Sequence, residues 1–456
     1  MKRVARTVVG ATLFYGASGT IQAQQAVIHA DSMQHGAVHA PPAPGGTRLC
    51  QLICADARRI DNRRALLQEL PDFATTKGAG LIRGFTVAAG TALFVHDSTG
   101  LIEAFDASTG AFRWRRAATG SVHCDPYIDD GRVIVGVGVP AARQPHPAGV
   151  EAFDLKSGDS LWFRLLSHVM PCLWRNGDTV YALSGDSALY GLNAASGSVY
   201  WKLALPGVPY MSTIRGDGAG AAWFGVQGRN KEGQVKSRVV HFDPRTRRIK
   251  STLDLPFPGA GDITVATACG LVFTAAWEEV PPAAMLGILA RQPALAWHKV
   301  LMKFGAERWR SISRHWVFAF DAISGRERWR YLIGAGLTVA RNTSGRPVSD
   351  GCSVIVASRT AGTVVEVSRS GLLQWRFRSP DLAIGGAVPG PGLCWVVATA
   401  RGSLTLLREG RARTVPPSAP VRVFTPAVLR ASVLYPIDDG TLARHSWSVE
   451  ERAFCG

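Results

Sequence analysis

The tightest constraint on this chain is a motif that it repeats. Ala104-Phe105-Asp106, Thr109-Gly110 and Trp114 are matched at the same internal spacing by Ala152-Phe153-Asp154, Ser157-Gly158 and Trp162. Gly191-Leu192-Asn193 with Ser196-Gly197 and Trp201 is a third copy, and Ala319-Phe320-Asp321 with Ser324-Gly325 and Trp329 a fourth. Weaker copies stand at His241-Phe242-Asp243 with Thr246, and at Ser370-Gly371 with Trp375. A chain that repeats a short unit stacks small modules side by side, and each buries its apolar surface against the next.

Each copy has a readable local structure. An apolar run ends at Asp or Asn, whose side chain bonds backbone groups of the turn that follows. Gly supplies the positive φ of a tight hairpin. Trp then falls on the returning strand, where its large face packs on a neighbouring module. A further β-rich run lies upstream of most copies, at Val133–Val137, Thr179–Leu183, Ala222–Val226 and Ser353–Ala357. Each module therefore reads as a small antiparallel sheet. The period is 48 residues from Trp114 to Trp162, 39 on to Trp201, and 46 from Trp329 to Trp375. The 128 residues between Trp201 and Trp329 hold one degenerate module and one that carries an insertion. Leu393–Thr399 with Ser403–Leu407, and Ser432–Ile437 with Gly440–His445, supply the last two. About eight modules of this size predict an all-β, eight-bladed β-propeller, with seven blades as the fallback.

The A-x-D-x-x-[TS]-G-x-x-x-W pattern resembles the tryptophan-docking repeat of the pyrroloquinoline-quinone (PQQ)-type β-propellers, over residues 80–450. That superfamily includes quinoprotein alcohol dehydrogenases and the propeller lipoprotein of the bacterial outer-membrane assembly machine. The resemblance makes Asp106, Gly110, Trp114, Asp154, Gly158, Trp162, Asn193, Gly197, Trp201, Asp321, Gly325, Trp329 and Trp375 structural docking residues. It leaves two function classes open, because one propeller hosts unrelated activities. The leading one is a non-catalytic binding or assembly scaffold with no cofactor, although no lipid-attachment Cys follows the apolar start of this chain. The alternative is a PQQ- and calcium-dependent dehydrogenase oxidising an alcohol or a sugar. There the resemblance implies a catalytic Asp, a calcium cage of acidic and amide groups at the axis, and often a disulfide between adjacent cysteines. This chain has no adjacent Cys pair, and no Glu, Asn and Asp trio aligns with such a cage.

Register places one set of residues towards the axis. Cys124, Cys172 and Met211 each lie ten residues after a repeat Trp, where the next module's innermost strand begins. Two thiols and a thioether suit a soft metal such as Cu(I). Soft residues packed at equivalent strand positions explain the same set without a metal. Asp125 and Asp262 at this mouth are the candidate calcium ligands or catalytic bases. Cys269, Cys352 and Cys394 each open a β-run and read as buried free cysteines. No cysteine pair has CxxC spacing, which argues against zinc.

Lys2, Arg3 and Arg6 precede the apolar Val8–Ala17, and Ile21-Gln22-Ala23 is an acceptable cleavage site. Residues 1–23 thus read as an export signal, and the protein as periplasmic or secreted in a bacterial cell envelope. Residues 24–80 form a linker, with Pro41-Pro42-Ala43-Pro44-Gly45-Gly46, and a short helix over 56–70; residues 81–456 form the propeller. Eight cysteines in an exported chain predict disulfides, and Cys50 or Cys54 with Cys455 would join its two ends.

An insertion over 280–315 opens at Pro281-Pro282, with an apolar run of Met285, Leu286, Ile288 and Leu289. It reads as one or two amphipathic helices in the fifth blade. Arg291, Trp297, Lys299, Lys303 and Arg308 are its candidate contacts to an envelope protein or an anionic membrane. The preferred reading folds its apolar side back on the propeller. Lys and Arg number 51 against 34 Asp and Glu, a charge of +17 that is spread along the sequence. No nucleic-acid recognition motif accompanies it, and no run of about 20 apolar residues predicts a membrane-spanning helix.

Overall fold

The computed structural model describes residues 70–456 apart from 80–81, 97–98, 123, 139–146, 168–172, 210–211, 213, 217–219, 230–234, 257–263, 294, 297–311, 338–346, 350–352, 380–384, 400–402, 416–426, 430–431 and 437–440. Within them, eight antiparallel sheets follow one another: sheet 1 (82–117), sheet 2 (127–165), sheet 3 (174–204), sheet 4 (215–254), sheet 5 (264–337), sheet 6 (348–378), sheet 7 (388–415) and sheet 8 (427–446). The first seven have four strands and the eighth has three, and strands adjacent in sequence are adjacent in space. Such meanders need only hairpin connections. The second strand of sheet 1, Thr91–His96, is buried at every position, as expected of a strand covered on both faces. Its outermost strand, Phe112–Ala117, buries Trp114 alone.

That Trp joins the sheets. Gly158, in the hairpin of sheet 2, has φ 73°, and a Cβ there would lie 2.6 Å from the Trp114 ring. Only Gly meets both demands. The Trp114 indole N–H also donates to the Leu155 carbonyl at 2.8 Å. Trp162 lies against Gly197, Trp329 against Gly371 and Trp375 against Gly410, and of these Trp329 repeats the indole bond, to the Arg369 carbonyl at 2.8 Å. Trp201 differs, because sheet 4 has Arg247 rather than Gly in its left-handed turn position. Its ring lies against Gly191 of its own sheet and against Tyr181 and Phe242.

Sheet 5 carries the insertion, between Leu271–Glu279 and Ile312–Asp321. Helix α1 (Pro282–Arg291) starts on a proline, whose missing N–H is harmless in a first turn. Its Ala284, Met285, Ile288 and Leu289 pack on Val280, Leu295, Ile312, Ala335 and Leu337. Leu286, counted in the apolar run, instead faces outwards at 75% exposed. The folded-back arrangement thus holds for α1. No helix among the described residues is long and apolar enough to cross a membrane.

The first and last sheets meet through residues 70–76, which take the place of an outermost strand for sheet 8. Pro71 stands over Gly110 of sheet 1 as Trp114 stands over Gly158. Thr76 donates its amide and hydroxyl to Glu103 at 2.9 and 2.6 Å, and Thr119 donates the same two groups to Glu151 at 2.8 and 2.9 Å. Both correspondences run at an offset of 43 residues. Arg444, on the last strand of sheet 8, holds the Asp72 carboxylate at 2.7 Å and the Leu70 carbonyl. Leu70 and Phe73 complete an apolar cluster with Phe94, Phe105, Leu429 and Leu434.

The disulfide expected between Cys455 and Cys50 or Cys54 does not form. Cys455 pairs with Cys394, at a Cα–Cα distance of 5.1 Å. Helix α2 (Val449–Cys455), started by a capping box of Ser448 and Glu451, turns back on sheet 7, and Trp447 and Phe454 join that sheet's core. Cys394, expected as a free thiol, is therefore oxidised. Residues 1–23, the Pro-rich linker and the helix expected over 56–70 lie outside the described residues, save Leu70.

Candidate functional site

The acidic residues of the repeat are taken up by their own turns. Asp106 Oδ1 accepts the Ser108 and Thr109 amides at 2.9 Å each, and Oδ2 accepts Arg113 at 2.7 Å. Asp321 accepts the Ser324 amide at 2.8 Å and Arg328 at 2.6 Å. The Ser108 hydroxyl and Arg113 hold the Asp106 carboxyl well below the usual range, and the Ser324 amide and Arg328 do so for Asp321. Groups more acidic folded than unfolded stabilise fully above the ordinary Asp value of about 3.9 and lose that contribution as pH falls below it. Melting temperature should therefore be indifferent to them from neutral pH down to about 5 and decline below that. Asp106→Asn with Asp321→Asn should flatten the acid limb of a melting-against-pH curve, and an unaltered limb would refute this role.

Buried Glu103 reaches the same direction against a larger opposing cause. Burial raises its pKa, but hydrogen bonds from His96 (2.9 Å) and Thr76 outweigh it and leave the carboxyl below its ordinary value. This pair fixes the closing segment to sheet 1 and has no exposed atom to offer a substrate.

Few of the residues expected near the axis are brought together. Cys124 and Asp125 lie ahead of Tyr127–Asp129, the first strand of sheet 2. Asp125 Oδ1 accepts the Phe85 amide at 3.0 Å, and Thr86 donates to the Pro126 carbonyl at 2.8 Å, so this corner stitches sheet 2 to sheet 1. Cys124 is disulfide-bonded, and its sulfur in that state presents no thiolate to a soft metal. Cys172, Met211 and Asp262 lie outside the described residues, as does Cys352. Cys269 keeps its thiol but sits partly buried in a left-handed turn, φ 49°, just ahead of its β-run. Among the described residues, no group of three His, Cys, Asp or Glu is placed to hold a metal ion.

One inner-strand acid escaped the sequence reading. Asp129 is buried and pairs with Arg175, on the first strand of sheet 3, at 2.6 Å. It stitches sheets 2 and 3 as Asp125 stitches 1 and 2. The only sequence signal is an Asp at the foot of a short β-run before Asp130-Gly131.

The outermost strands are strongly basic. The outermost strands of sheets 1 to 7 carry thirteen Lys and Arg but only two acids, Asp254 and Glu327. The basic excess, even along the sequence, is thus concentrated in space. Arg115 stacks over Phe112 at 5.3 Å and Arg376 over Tyr331 at 5.8 Å, which keeps both guanidiniums on the rim. Of the insertion residues, Arg291 is exposed at the end of α1; Trp297, Lys299, Lys303 and Arg308 lie outside the described residues.

Successive antiparallel meanders, four of which (sheets 1, 2, 5 and 6) lay an outer-strand Trp on the next hairpin, define a β-propeller of the PQQ-repeat type. A family model described as "Outer membrane protein assembly factor BamB" matches residues 34–207 and 148–409, and the chain belongs to that family. BamB from Moraxella catarrhalis superimposes with a TM-score of 0.55 at 15% identity, over 84% of this chain and 98% of that one. The computationally designed Ika8 protein does so with a TM-score of 0.53 at 14% identity, over 84% and 100%. A europium-containing methanol dehydrogenase matches with a TM-score of 0.46 at 12% identity, over 72% of each chain. At such identities the likeness is one of fold. No curated protein matches the sequence significantly.

Proposed function

We propose that this chain is an exported, non-catalytic propeller that serves as a binding and assembly scaffold in the bacterial cell envelope. The observation that supports this most is how the repeated polar groups are used. Asp106, Asp154 and Asp321 bond their own turns, Glu103 and Glu151 bond Thr76 and Thr119, and Asp125 and Asp129 bond the inner strands of the preceding and the following sheet. Such acids build a rigid ring and leave its faces and perimeter as the working surfaces. Membership of a family described as an outer-membrane assembly factor accords with this reading. Its partners would be envelope proteins, met through the basic perimeter and the insertion.

Purified mature protein titrated with PQQ and calcium tests the proposal, with tryptophan quenching and dye-linked oxidation of alcohols and sugars as readouts. No saturable quenching at micromolar cofactor is expected. Tight, calcium-dependent binding with turnover would overturn the scaffold in favour of a quinone-dependent dehydrogenase.

A further inference from the structure

The hairpin between the third and fourth strands is built alike in sheets 1 to 5. In each, an Asp or Asn oxygen accepts the amide two residues further on, from Ser108, Lys156, Ala195, Arg245 and Ile323 in turn. Those five residues therefore stand at equivalent tips. Gly325 lies against Leu253 of sheet 4, and Gly371 against Trp329 of sheet 5. The hairpins of sheets 4, 5 and 6 thus follow one another along one rim.

Sheet 4 departs from its sisters at a structural cost. Its turn reads Asp243-Pro244-Arg245-Thr246-Arg247-Arg248, and all three arginines are exposed. Arg247 holds the left-handed position, φ 57°, that Gly110, Gly158, Gly197, Gly325 and Gly371 hold elsewhere. A side chain there strains the backbone. It also denies Trp201 the glycine seat that Trp114, Trp162, Trp329 and Trp375 have in the next sheet. Nothing inside the molecule offsets this. Among the described residues, Arg245, Arg247 and Arg248 form no ion pair, and neither does exposed Arg326 of the next hairpin. The acids beside them are already engaged: Asp243 with its own turn and Lys250 (3.6 Å), Asp321 with its own turn and Arg328 (2.6 Å), Glu327 with Arg330 (2.8 Å). Four cations on neighbouring hairpins are thus left without a counter-charge.

The next two hairpins each leave an aliphatic side chain in water, Ile323 at 96% exposed and Leu372 at 54%. Single exposed aliphatics are ordinary. These two stand in line with the unneutralised arginines, and Ile323 occupies the very tip. A protein partner calls for a contiguous apolar patch at the centre of the contact. Isolated aliphatic points among guanidiniums suit a surface that is anionic outside and apolar just beneath. We propose that this arc of the rim, residues 243–248, 321–326 and 368–373, rests on an anionic membrane surface. Arg245, Arg247, Arg248 and Arg326 meet lipid phosphates there, and Ile323 and Leu372 enter the headgroup boundary. The proposal goes beyond the scaffold reading and does not depend on it, because the rim is the same whatever the faces of the ring do.

The test sediments the full mature chain with vesicles of phosphatidylcholine alone and of phosphatidylcholine with phosphatidylglycerol. Binding is expected on the anionic vesicles and should fall as salt rises. Arg245→Ser, Arg247→Gly and Arg248→Ser together should weaken it about tenfold or more. The melting temperature should hold or rise, since Arg247→Gly restores the residue of the sister sheets. Ile323→Ser should weaken vesicle binding several-fold without moving the melting temperature, because that side chain touches little of its own protein. Should the triple variant fail to fold, Arg247→Gly with Ile323→Ser serves in its place. Equal binding to the two vesicles, or full binding by the arginine variant, would overturn the proposal. So would a chain that ignores vesicles but binds a labelled polyglutamate peptide through the same arginines, since the occupant would then be an acidic protein segment. Absence of vesicle binding removes this site and leaves the scaffold standing, whereas PQQ turnover removes the scaffold whatever the vesicles show.

Discussion

Trp114→Ala should destabilise the protein by about 3–5 kcal/mol, the usual loss for truncating a large buried aromatic. Trp114 is 5% exposed, lies among Val133, Phe153 and Leu155 of sheet 2, and is bonded through its indole N–H. Its removal opens a cavity in the apolar layer that Leu93, Val95 and Ile102 of sheet 1 share with Val133, Val135 and Phe153 of sheet 2. Urea unfolding followed by far-UV circular dichroism measures the effect. Trp114→Phe should lose less, since a ring remains over Gly158 and mainly the bond of about 1 kcal/mol to Leu155 is gone. Trp201→Ala should also lose less than Trp114→Ala, because Trp201 is only partly buried and its neighbour sheet has no glycine seat. Equal stability of Trp114→Ala and the parent would mean that the sheets are held together by their strand cores alone.

The second large effect concerns the carboxyl end. Cys394 and Cys455 are 61 residues apart, and a cross-link closing such a loop stabilises by roughly 4 kcal/mol in the chain-entropy model. Both are fully buried, Cys455 at the end of α2 and Cys394 in sheet 7's core, so the bond is shielded from mild reductant in the folded protein. Cys394→Ala with Cys455→Ala should lower the melting temperature clearly, and dithiothreitol should then have no further effect through this pair. An unchanged melting temperature would show that the packing of Trp447 and the α2 cap already fix the end of the chain.

The fold was readable because each repeat writes its own hairpin. Asp106, Gly110 and Trp114 encode a turn, a left-handed residue and a docking face within nine residues, and the same code returns wherever the spacing does. The position of the insertion, in the fifth sheet, followed from the long gap between Trp201 and Trp329. What stayed hidden depends on contacts between distant parts of the sequence. Pro71 and Thr76 carry no repeat motif, so their standing in for Trp114 and Thr119 shows only once sheet 8 lies beside sheet 1. The partner of Cys455 was missed because spacing says nothing about the direction in which α2 turns. The basic perimeter was missed because charges evenly spaced in sequence fall together when each sheet places its fourth strand on the same rim. The candidate site was legible only in part: Asp125 was singled out, but its task of holding Phe85, and the matching task of Asp129, are geometrical.

The segment at 70–76 has a consequence for how the molecule is made. Residues synthesised early have part of their binding place on sheet 8, some 370 positions later by the Arg444–Asp72 pair. Until then Phe73 has Phe94 and Phe105 of sheet 1 beside it but not Leu429 and Leu434 of sheet 8, and Arg444 is not there to hold Asp72. Nascent chains of every intermediate length are open arcs with two unfinished ends. Cooperativity therefore arrives with the final residues: loss of the C-terminal strands should loosen the N-terminal segment as much as it loosens their own neighbourhood. Resistance to protease should likewise appear all along the chain at once, when the two ends find each other.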